Sequence, residues 1–236
     1  MPLLEIRSLS AGYGGQTVLR DVSLEVDQGE FIAVVGPNGH GKTTLMRAIS
    51  GLVRPLSGQI LLAGEALTGL RADQIAARGI VHVPQGDLLF PDMTVQENLR
   101  MGGFVRGTPA DHARLLDEVN ALFPRLRDRR HQPASTLSGG ERRMVGIGRG
   151  LMAGGQVLIL DEPSLGLAPL LIDQIYQVVV QLGRSGRTVI VVEENASRIA
   201  DHAHRLHLLD HGRFVWSGGG AEFLSSPEIL STYLGA

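Results

Sequence analysis

The chain has 236 residues, enough for one domain with a sizeable core and short for two. Its 22 Lys and Arg residues nearly balance 24 Asp and Glu residues, and the resulting formal charge of −2 excludes a general binder of polyanions. The absence of cysteine excludes disulfides, thiolate metal sites, iron–sulfur clusters and a cysteine nucleophile. Any chemistry must come from other side chains and from the backbone.

Hydrophobic runs along the chain are short. None reaches the roughly 18 residues that a membrane-crossing helix needs. The first residues, MPLLEIRSLS, lack the basic and apolar regions of a signal peptide. We therefore expect the protein to stay in the cytoplasm.

The chain begins with two segments of alternating apolar and polar residues, LEIRSLSAGY and VLRDVSLEVDQG, which predict antiparallel edge strands. FIAVVG at 31–36 is continuously apolar, as in a strand buried on both faces, and KTTLMRAISGL after it has helical spacing. Two more such strands, VLILDEP at 157–163 and TVIVVEE at 188–194, flank the helical pattern IDQIYQVVVQLGRSG. This alternation predicts an α/β fold with a parallel sheet.

Between about 86 and 138, helical patterns alternate with Pro and Gly breaks. TVQENLRMGGF predicts one helix, and PADHARLLDEVNALFPRLRDRR carries apolar residues with helical spacing. We interpret this region as a helical insertion. Beyond residue 205, LHLLDHGRFVWSGG predicts a hairpin with a His-Gly turn, and EFLSSPEILSTYLGA predicts short helical pieces.

A phosphate-binding motif lies directly between the first buried strand and the first helix. GPNGHGKTT fits GxxxxGK[ST] in the strand, loop and helix context that this motif requires. Its glycines let the backbone wrap a phosphate, Lys42 can reach β and γ oxygens, and Thr43 can ligate Mg²⁺. The predicted nucleotide-binding residues are Gly36, Pro37, Asn38, Gly39, His40, Gly41, Lys42, Thr43 and Thr44.

The strand VLILDEP delivers two carboxylates at its C-terminal end, where ligands of open α/β sheets bind. We expect Asp161 to hold Mg²⁺ through water. Glu162 is then placed to orient or deprotonate an attacking water, the role that phosphoryl transfer requires. The alternative is a pair of carboxylates that only caps a strand end.

These two motifs leave small kinases, GTPases and many ATPases open. The deciding segment is LSGGERRM at 137–144, just before the acidic strand, because here the chain resembles the ABC ATPases, whose signature is LSGGQ or LSGGE. A kinase of the same loop type would leave this segment unexplained. The signature residues, whose backbone donors at a helix start suit a γ-phosphate, are Ser138, Gly139, Gly140 and Glu141.

The resemblance implies a single nucleotide-binding domain over 1–236, with a P-loop NTPase core, an N-terminal antiparallel β edge and a helical subdomain. The core would comprise 1–85 and 139–236, and the helical subdomain 86–138. ATP and Mg²⁺ are the implied cofactors. Each ATP would lie between the phosphate loop of one subunit and the signature of another, so that function requires two chains.

Other family positions follow in order along the chain. Tyr13 is similar to the aromatic residue that stacks on adenine, and Gln85 to the glutamine that links Mg²⁺ or water to the helical subdomain. Glu194 stands where most members have a switch histidine at the γ-phosphate. A carboxylate there either slows hydrolysis or faces away. SLGLAP at 164–169 occupies the dimer-contact loop, with Gly-Leu where many members carry an Asp.

Four segments resemble the ATP-binding subunits of branched-chain amino acid importers: FPRLRDRRHQPASTLSGGERRM, DEPSLGLAP, VVEEN and the terminal YLGA. Importers of urea and short amides share much of this pattern. The resemblance implies a peripheral subunit on the cytoplasmic face of the cell membrane. Its partners would be two integral membrane permeases, a second ATPase subunit and, indirectly, a periplasmic or extracellular substrate-binding protein.

We expect a heterodimer with a sibling ATPase, and a homodimer is the alternative. An exporter subunit and a non-transport ABC ATPase remain alternatives too, because ATPase motifs do not set the direction of transport.

We interpret two other clusters as neither a metal site nor a nucleic-acid site. No cysteine or paired carboxylate gives a defined metal spacing to the histidines of the C-terminal region, which are His202, His204, His207 and His211. The arginine run PRLRDRR lacks interleaved aromatics, so we expect a solvated face and no nucleic acid. His40 could meet adenine or solvent, and we expect solvent.

Overall fold

The computed structural model describes residues 1–86, 88–226 and 229. Its strands are β1 (Leu4–Tyr13), β2 (Gln16–Val26), β3 (Phe31–Val35), β4 (Pro55–Leu62), β5 (Glu65–Ala66), β6 (Ile80–Val83), β7 (Val157–Asp161), β8 (Thr188–Glu193), β9 (Arg205–Asp210) and β10 (Arg213–Gly218). Its α-helices are α1 (Lys42–Ile49), α2 (Ala72–Arg78), α3 (Val95–Gly102), α4 (Pro109–Leu122), α5 (Pro124–Asp128), α6 (Gly139–Met152), α7 (Pro169–Arg184) and α8 (Gly220–Ser225). The terminal YLGA motif lies outside the described residues.

A six-stranded sheet, in the order β10-β9-β3-β8-β7-β6, forms the centre of the fold. Its members from β9 to β6 pair in parallel, and β10 pairs antiparallel with β9. Ala33 and Val35 face one core cluster, and Ile32 and Val34 face the other. The apolar run of β3 is continuous because both faces of the sheet are covered, one mainly by helices and the other by α1 together with the second sheet. The α/β prediction is confirmed.

The second sheet is antiparallel, in the order β2-β1-β4-β5, and it shares a core cluster with the central sheet. Its strands β1 and β2 pair as the sequence predicts. No element was predicted across 55–80, where the structure has β4, β5 and α2. Four glycines interrupt this stretch, and the burial of β4 alternates irregularly, so its periodicity is weak.

The helices α3, α4 and α5 pack against α6, which starts at the predicted signature. The long helical pattern after Pro109 is divided in two. Phe123 ends α4 outside the helical conformation, and Pro124 occupies the first turn of α5, where its missing N–H costs nothing. In the part of the chain that the structure describes, no helix has the length and apolar character to cross a membrane.

Candidate active site

The phosphate loop connects the end of β3 to the start of α1, at the C-terminal edge of the central sheet. Gly36, Gly39 and Gly41 have φ of 150°, 81° and 111°, a region that disfavours other residues. A Cβ on Gly36 would lie 2.1 Å from the carbonyl oxygen of Leu209. At the helix start, Gly41 brings no side chain that would cap the first N–H groups, which leaves them for an anion.

The Lys42 side chain is buried beneath this loop. Its Nζ donates to the carbonyl oxygens of Gly36, at 2.7 Å, and Pro37, at 3.1 Å, and lies 3.8 Å from Oε1 of Glu162. Burial lowers the pKa of Lys42, although the Glu162 and Glu194 carboxylates oppose that shift. The ammonium is thus held in a fixed position facing the acidic strand end.

Asp161, at the end of β7, faces the start of α1. Its Oδ1 lies 3.5 Å from the Thr43 hydroxyl, while its buried Oδ2 has no hydrogen-bond partner among the described residues. Nε2 of His82 lies 3.9 Å from that oxygen and is likewise unpaired. Burial raises the pKa of Asp161 and lowers that of His82 to about 4. An unpaired carboxylate oxygen beside a threonine hydroxyl fits the oxygen ligands of Mg²⁺.

Glu162 follows with a backbone φ of 46°, in the left-handed region that costs a non-glycine residue energy. Its N–H donates to the Val192 carbonyl oxygen at 2.9 Å, and its buried carboxylate accepts from Nε2 of Gln85 at 3.1 Å. A cavity of about 340 Å³ joins the phosphate loop, Gln85 and Glu162. The structure therefore brings the predicted base and the predicted glutamine to the phosphate loop.

Arg143 joins two segments of the site, and sequence reasoning missed it. Its buried guanidinium donates to the carbonyl oxygens of Pro84 and Gly86, on either side of Gln85, at 3.2 and 2.7 Å. It also donates to the carbonyl oxygens of Asp161, Glu162 and Pro163. The second arginine of LSGGERRM was the only available signal, and nothing in the sequence separates it from the exposed arginines nearby.

The signature forms the start of α6. The Ser138 hydroxyl accepts from the Glu141 N–H at 3.4 Å, and the Glu141 carboxylate accepts from the Ser138 N–H at 2.9 Å, a reciprocal cap. A Cβ on Gly140 would lie 2.5 Å from Leu171, whereas a Cβ on Gly139 would make an ordinary contact with the Arg142 side chain at 3.8 Å. None of these residues lines the cavity at the phosphate loop of the same chain.

Other predicted residues lie around the loop. Oε2 of the exposed Glu194 accepts from Nδ2 of Asn38 at 2.8 Å, so Glu194 lies beside the loop and does not face away. Tyr13 ends β1, half exposed, and Arg47 donates to its hydroxyl at 3.4 Å. Thr44 is buried in the first turn of α1.

His40 differs from the expectation of a solvent-facing side chain. Its Nδ1 lies 2.6 Å from Oδ1 of Asp210, and its ring lies 4.3 Å from that of His211. The other C-terminal histidines have separate neighbours: His204 accepts from a backbone N–H, and His207 pairs with a serine hydroxyl.

Comparison with known proteins decides the family. The family model described as ABC transporter matches residues 19–165, more than half of the chain. The chain belongs to the ABC transporter family, and it is an ATP hydrolase of that family. It is 44% identical to the high-affinity branched-chain amino acid transport ATP-binding protein BraG of Pseudomonas aeruginosa, over 99% of this chain and 100% of BraG.

Two further similarities bear on this ABC ATPase. The lipopolysaccharide export system ATP-binding protein LptB of Haemophilus influenzae is 33% identical to it over 100% of this chain and 98% of LptB. The ADP conformation of an ATP-binding cassette of an ABC transporter superposes with a TM-score of 0.85, at 26% identity, over 100% of both chains. These similarities agree on the family, but they do not set the direction of transport: the name of LptB specifies export, and the name of BraG specifies no direction.

Proposed function

We propose that this ABC ATPase powers the import of branched-chain or related amino acids through separate membrane subunits. The observation that carries the proposal is the 44% identity to BraG over nearly the whole of both chains. Import of urea or short amides is the near alternative. Export is a second candidate, favoured by the 33% identity to LptB.

In the proposed reaction, the phosphates of ATP lie in the phosphate loop, with Lys42 at the β and γ oxygens. Thr43, Asp161 and Gln85 would hold Mg²⁺, which neutralises charge on the phosphates. Glu162 accepts a proton from water as the water oxygen attacks the γ-phosphorus and the bond to the bridging oxygen breaks. The fixed ammonium of Lys42 and the Gln85 contact support this assignment, because both already orient the Glu162 carboxylate.

Two chains are required in this proposal. The signature residues do not line the cavity of their own phosphate loop, so Ser138 and Gly139 would act on the ATP of a second subunit. That subunit would be a sibling ATPase, with a second copy of this chain as the alternative. Tyr13, half exposed at the end of β1, would stack on adenine.

A membrane partner is supported by an apolar groove of about 430 Å³ beside Gln85. Exposed apolar side chains line it, including Leu88, Phe90, Met101 and Val105. Pro84 and Gly86, whose carbonyl groups Arg143 binds, lie on its wall. A permease segment in this groove would contact the same backbone that Arg143 ties to Glu162. The chain would then lie at the cytoplasmic face of the membrane, and a substrate-binding protein would act through the permeases.

The chemistry is tested with Glu162→Gln, which keeps the size and polarity of the side chain. We expect ATP affinity to stay within about twofold and turnover to fall by roughly 10²–10⁴-fold, the range for loss of a general base. Glu222→Gln, exposed on α8, is the matched control and should keep normal turnover. Normal turnover in Glu162→Gln would show that Glu162 is not the general base.

Transport is tested by isolating the tagged chain from gently solubilised native membranes. We expect two multi-spanning proteins and a second ATPase to co-purify, with ATPase activity stimulated by a binding protein loaded with a branched-chain amino acid. Stimulation by urea-loaded binding protein would reassign the substrate. Recovery of soluble partners only would contradict the proposed role in transport, while the ATPase assignment would stand.

A further inference from the structure

Three potential metal ligands meet beside the phosphate loop, on residues that the proposed ATPase mechanism does not use for chemistry. His40 belongs to the loop itself, and Asp210 and His211 belong to the turn between β9 and β10. One ligand atom from each lies within 4.8 Å of the other two. Two imidazoles and one carboxylate form a donor set that binds zinc and related transition ions.

The separations between these three donor atoms suit coordination of one metal ion. Nδ1 of His40 lies 2.6 Å from Oδ1 of Asp210, and Nε2 of His211 lies 3.9 Å from the same oxygen. Ligands at about 2.0 Å from a tetrahedral ion are about 3.3 Å apart, which falls between these two values. Small rotations of two partly exposed histidines would therefore equalise the distances.

The backbone of the turn fixes these ligands against the loop. His211 and Gly212 have φ of 42° and 79°, as in the two-residue turn that joins tightly paired strands. The Gly212 N–H donates to the His40 carbonyl oxygen at 3.0 Å, and the Gly212 carbonyl oxygen accepts from the Arg20 N–H at 2.8 Å. The two ligand-bearing segments are thus already joined, so metal binding would cost little conformational entropy.

Burial in the core does not position the His211 side chain. A left-handed turn position favours Gly, Asn and Asp, and it admits histidine more readily than most other residues. The His211 side chain is 82% exposed, so core packing does not fix its orientation. It nevertheless points back over the ring of His40, at a centroid distance of 4.3 Å.

We propose that His40, Asp210 and His211 form a binding site for a divalent transition-metal ion of the zinc class, separate from the Mg²⁺ ligands. Two of its three donors are nitrogens, whereas Mg²⁺ prefers oxygen, so the two sites select different ions. A bound ion would clamp the phosphate loop to the β9–β10 turn and restrain its movement around nucleotide. Zinc would then act on the ATPase from outside the reaction centre.

The test measures binding of zinc alone to the metal-free full-length chain by equilibrium dialysis with elemental analysis. We expect one Zn²⁺ per chain, unaffected by millimolar Mg²⁺, and a Co²⁺-substituted form with the visible absorption of a low-symmetry, four-coordinate ion. His211→Asn removes one ligand and keeps a residue that suits the turn, so the fold should persist. It should weaken Zn²⁺ binding at least tenfold.

The control is His202→Asn, which removes an exposed histidine from another part of the surface and should bind Zn²⁺ as the unaltered chain does. Circular dichroism and thermal unfolding without metal check that both variants are folded. Less than half an equivalent of bound Zn²⁺, or equal affinity in His211→Asn and the unaltered chain, overturns the proposal. Neither result depends on ATP turnover, so the ATPase assignment would stand.

Discussion

The charge of Glu194 at the phosphate loop gives a prediction that the structure makes quantitative. Its carboxylate accepts from Asn38 at 2.8 Å and contributes to the electrostatic environment of Lys42. Incoming phosphates bring negative charge to the same loop. Glu194→Gln keeps an acceptor for Asn38 and removes one negative charge, so nucleotide should bind more tightly.

The size of the gain in nucleotide affinity follows from the distance between the two charges and from the exposure of Glu194. Two unit charges 4 Å apart interact by about 4 kcal/mol at an effective dielectric of 20 and by about 1 kcal/mol in water. Because Glu194 is exposed, we take the lower part of that range, about 1–2 kcal/mol, which corresponds to roughly 5- to 30-fold in affinity. Salt screens exposed charges, so the gain should shrink at high ionic strength.

The assay is calorimetric titration of ATP without Mg²⁺, together with steady-state ATPase rates below saturation, each at low and high salt. The rate should rise by the same factor as the affinity. Glu65→Gln, on the exposed strand β5, changes net charge equally but lies on the other sheet. Unchanged affinity and rate in Glu194→Gln, or an equal gain in Glu65→Gln, would refute the repulsion.

Three further predictions concern stability. Burial lowers the pKa of His207 to about 4, so the unfolded state binds more protons below pH 6.5. His207 should therefore contribute about 2 kcal/mol to the loss of stability between pH 7 and pH 5, in addition to the loss from His82. Chemical denaturation at both pH values should show that His207→Asn reduces the loss by about this amount and that His202→Asn does not. A Cβ at Gly102 would lie 1.9 Å from a backbone oxygen of α6, so Gly102→Ala should cost about 1–3 kcal/mol. Gly219→Ala has open space and loses only the preference of an N-cap for Gly, so in the same assay it should cost less than about 1 kcal/mol. Arg143→Lys leaves several buried carbonyl groups without a donor, at about 1–3 kcal/mol each, so the midpoint of thermal unfolding should drop. An unchanged midpoint would contradict the inference that Arg143 holds the two segments together.

The fold was predictable where one pattern dominated. The runs FIAVV and VLIL are apolar throughout because each strand is covered on both faces, and each run is too short for a typical helix. Residues 55–66 gave no such signal. Strand β4 is half exposed and contains Gly58, and β5 has two residues, so neither produces a period that can be counted.

The candidate site was predictable where its residues lie in a motif. The phosphate loop is contiguous, and Asp161 and Glu162 end a strand, so local sequence encodes both. The contact of His40 with Asp210 joins residues 170 positions apart and leaves no local trace. Arg143 donates to backbone carbonyl oxygens of two distant segments, and such contacts require no particular side chain in the partner.

The backbone of Glu162 has a consequence for selection experiments. Its φ of 46° suits Gly or Asn better than Glu, by an energy of about 1 kcal/mol. A library randomised at this position and sorted on thermal stability alone should therefore enrich Gly and Asn, which cannot serve as the proposed base. The native residue would be recovered only under a screen for turnover, and the difference between the two outcomes measures how far stability and activity conflict at one residue.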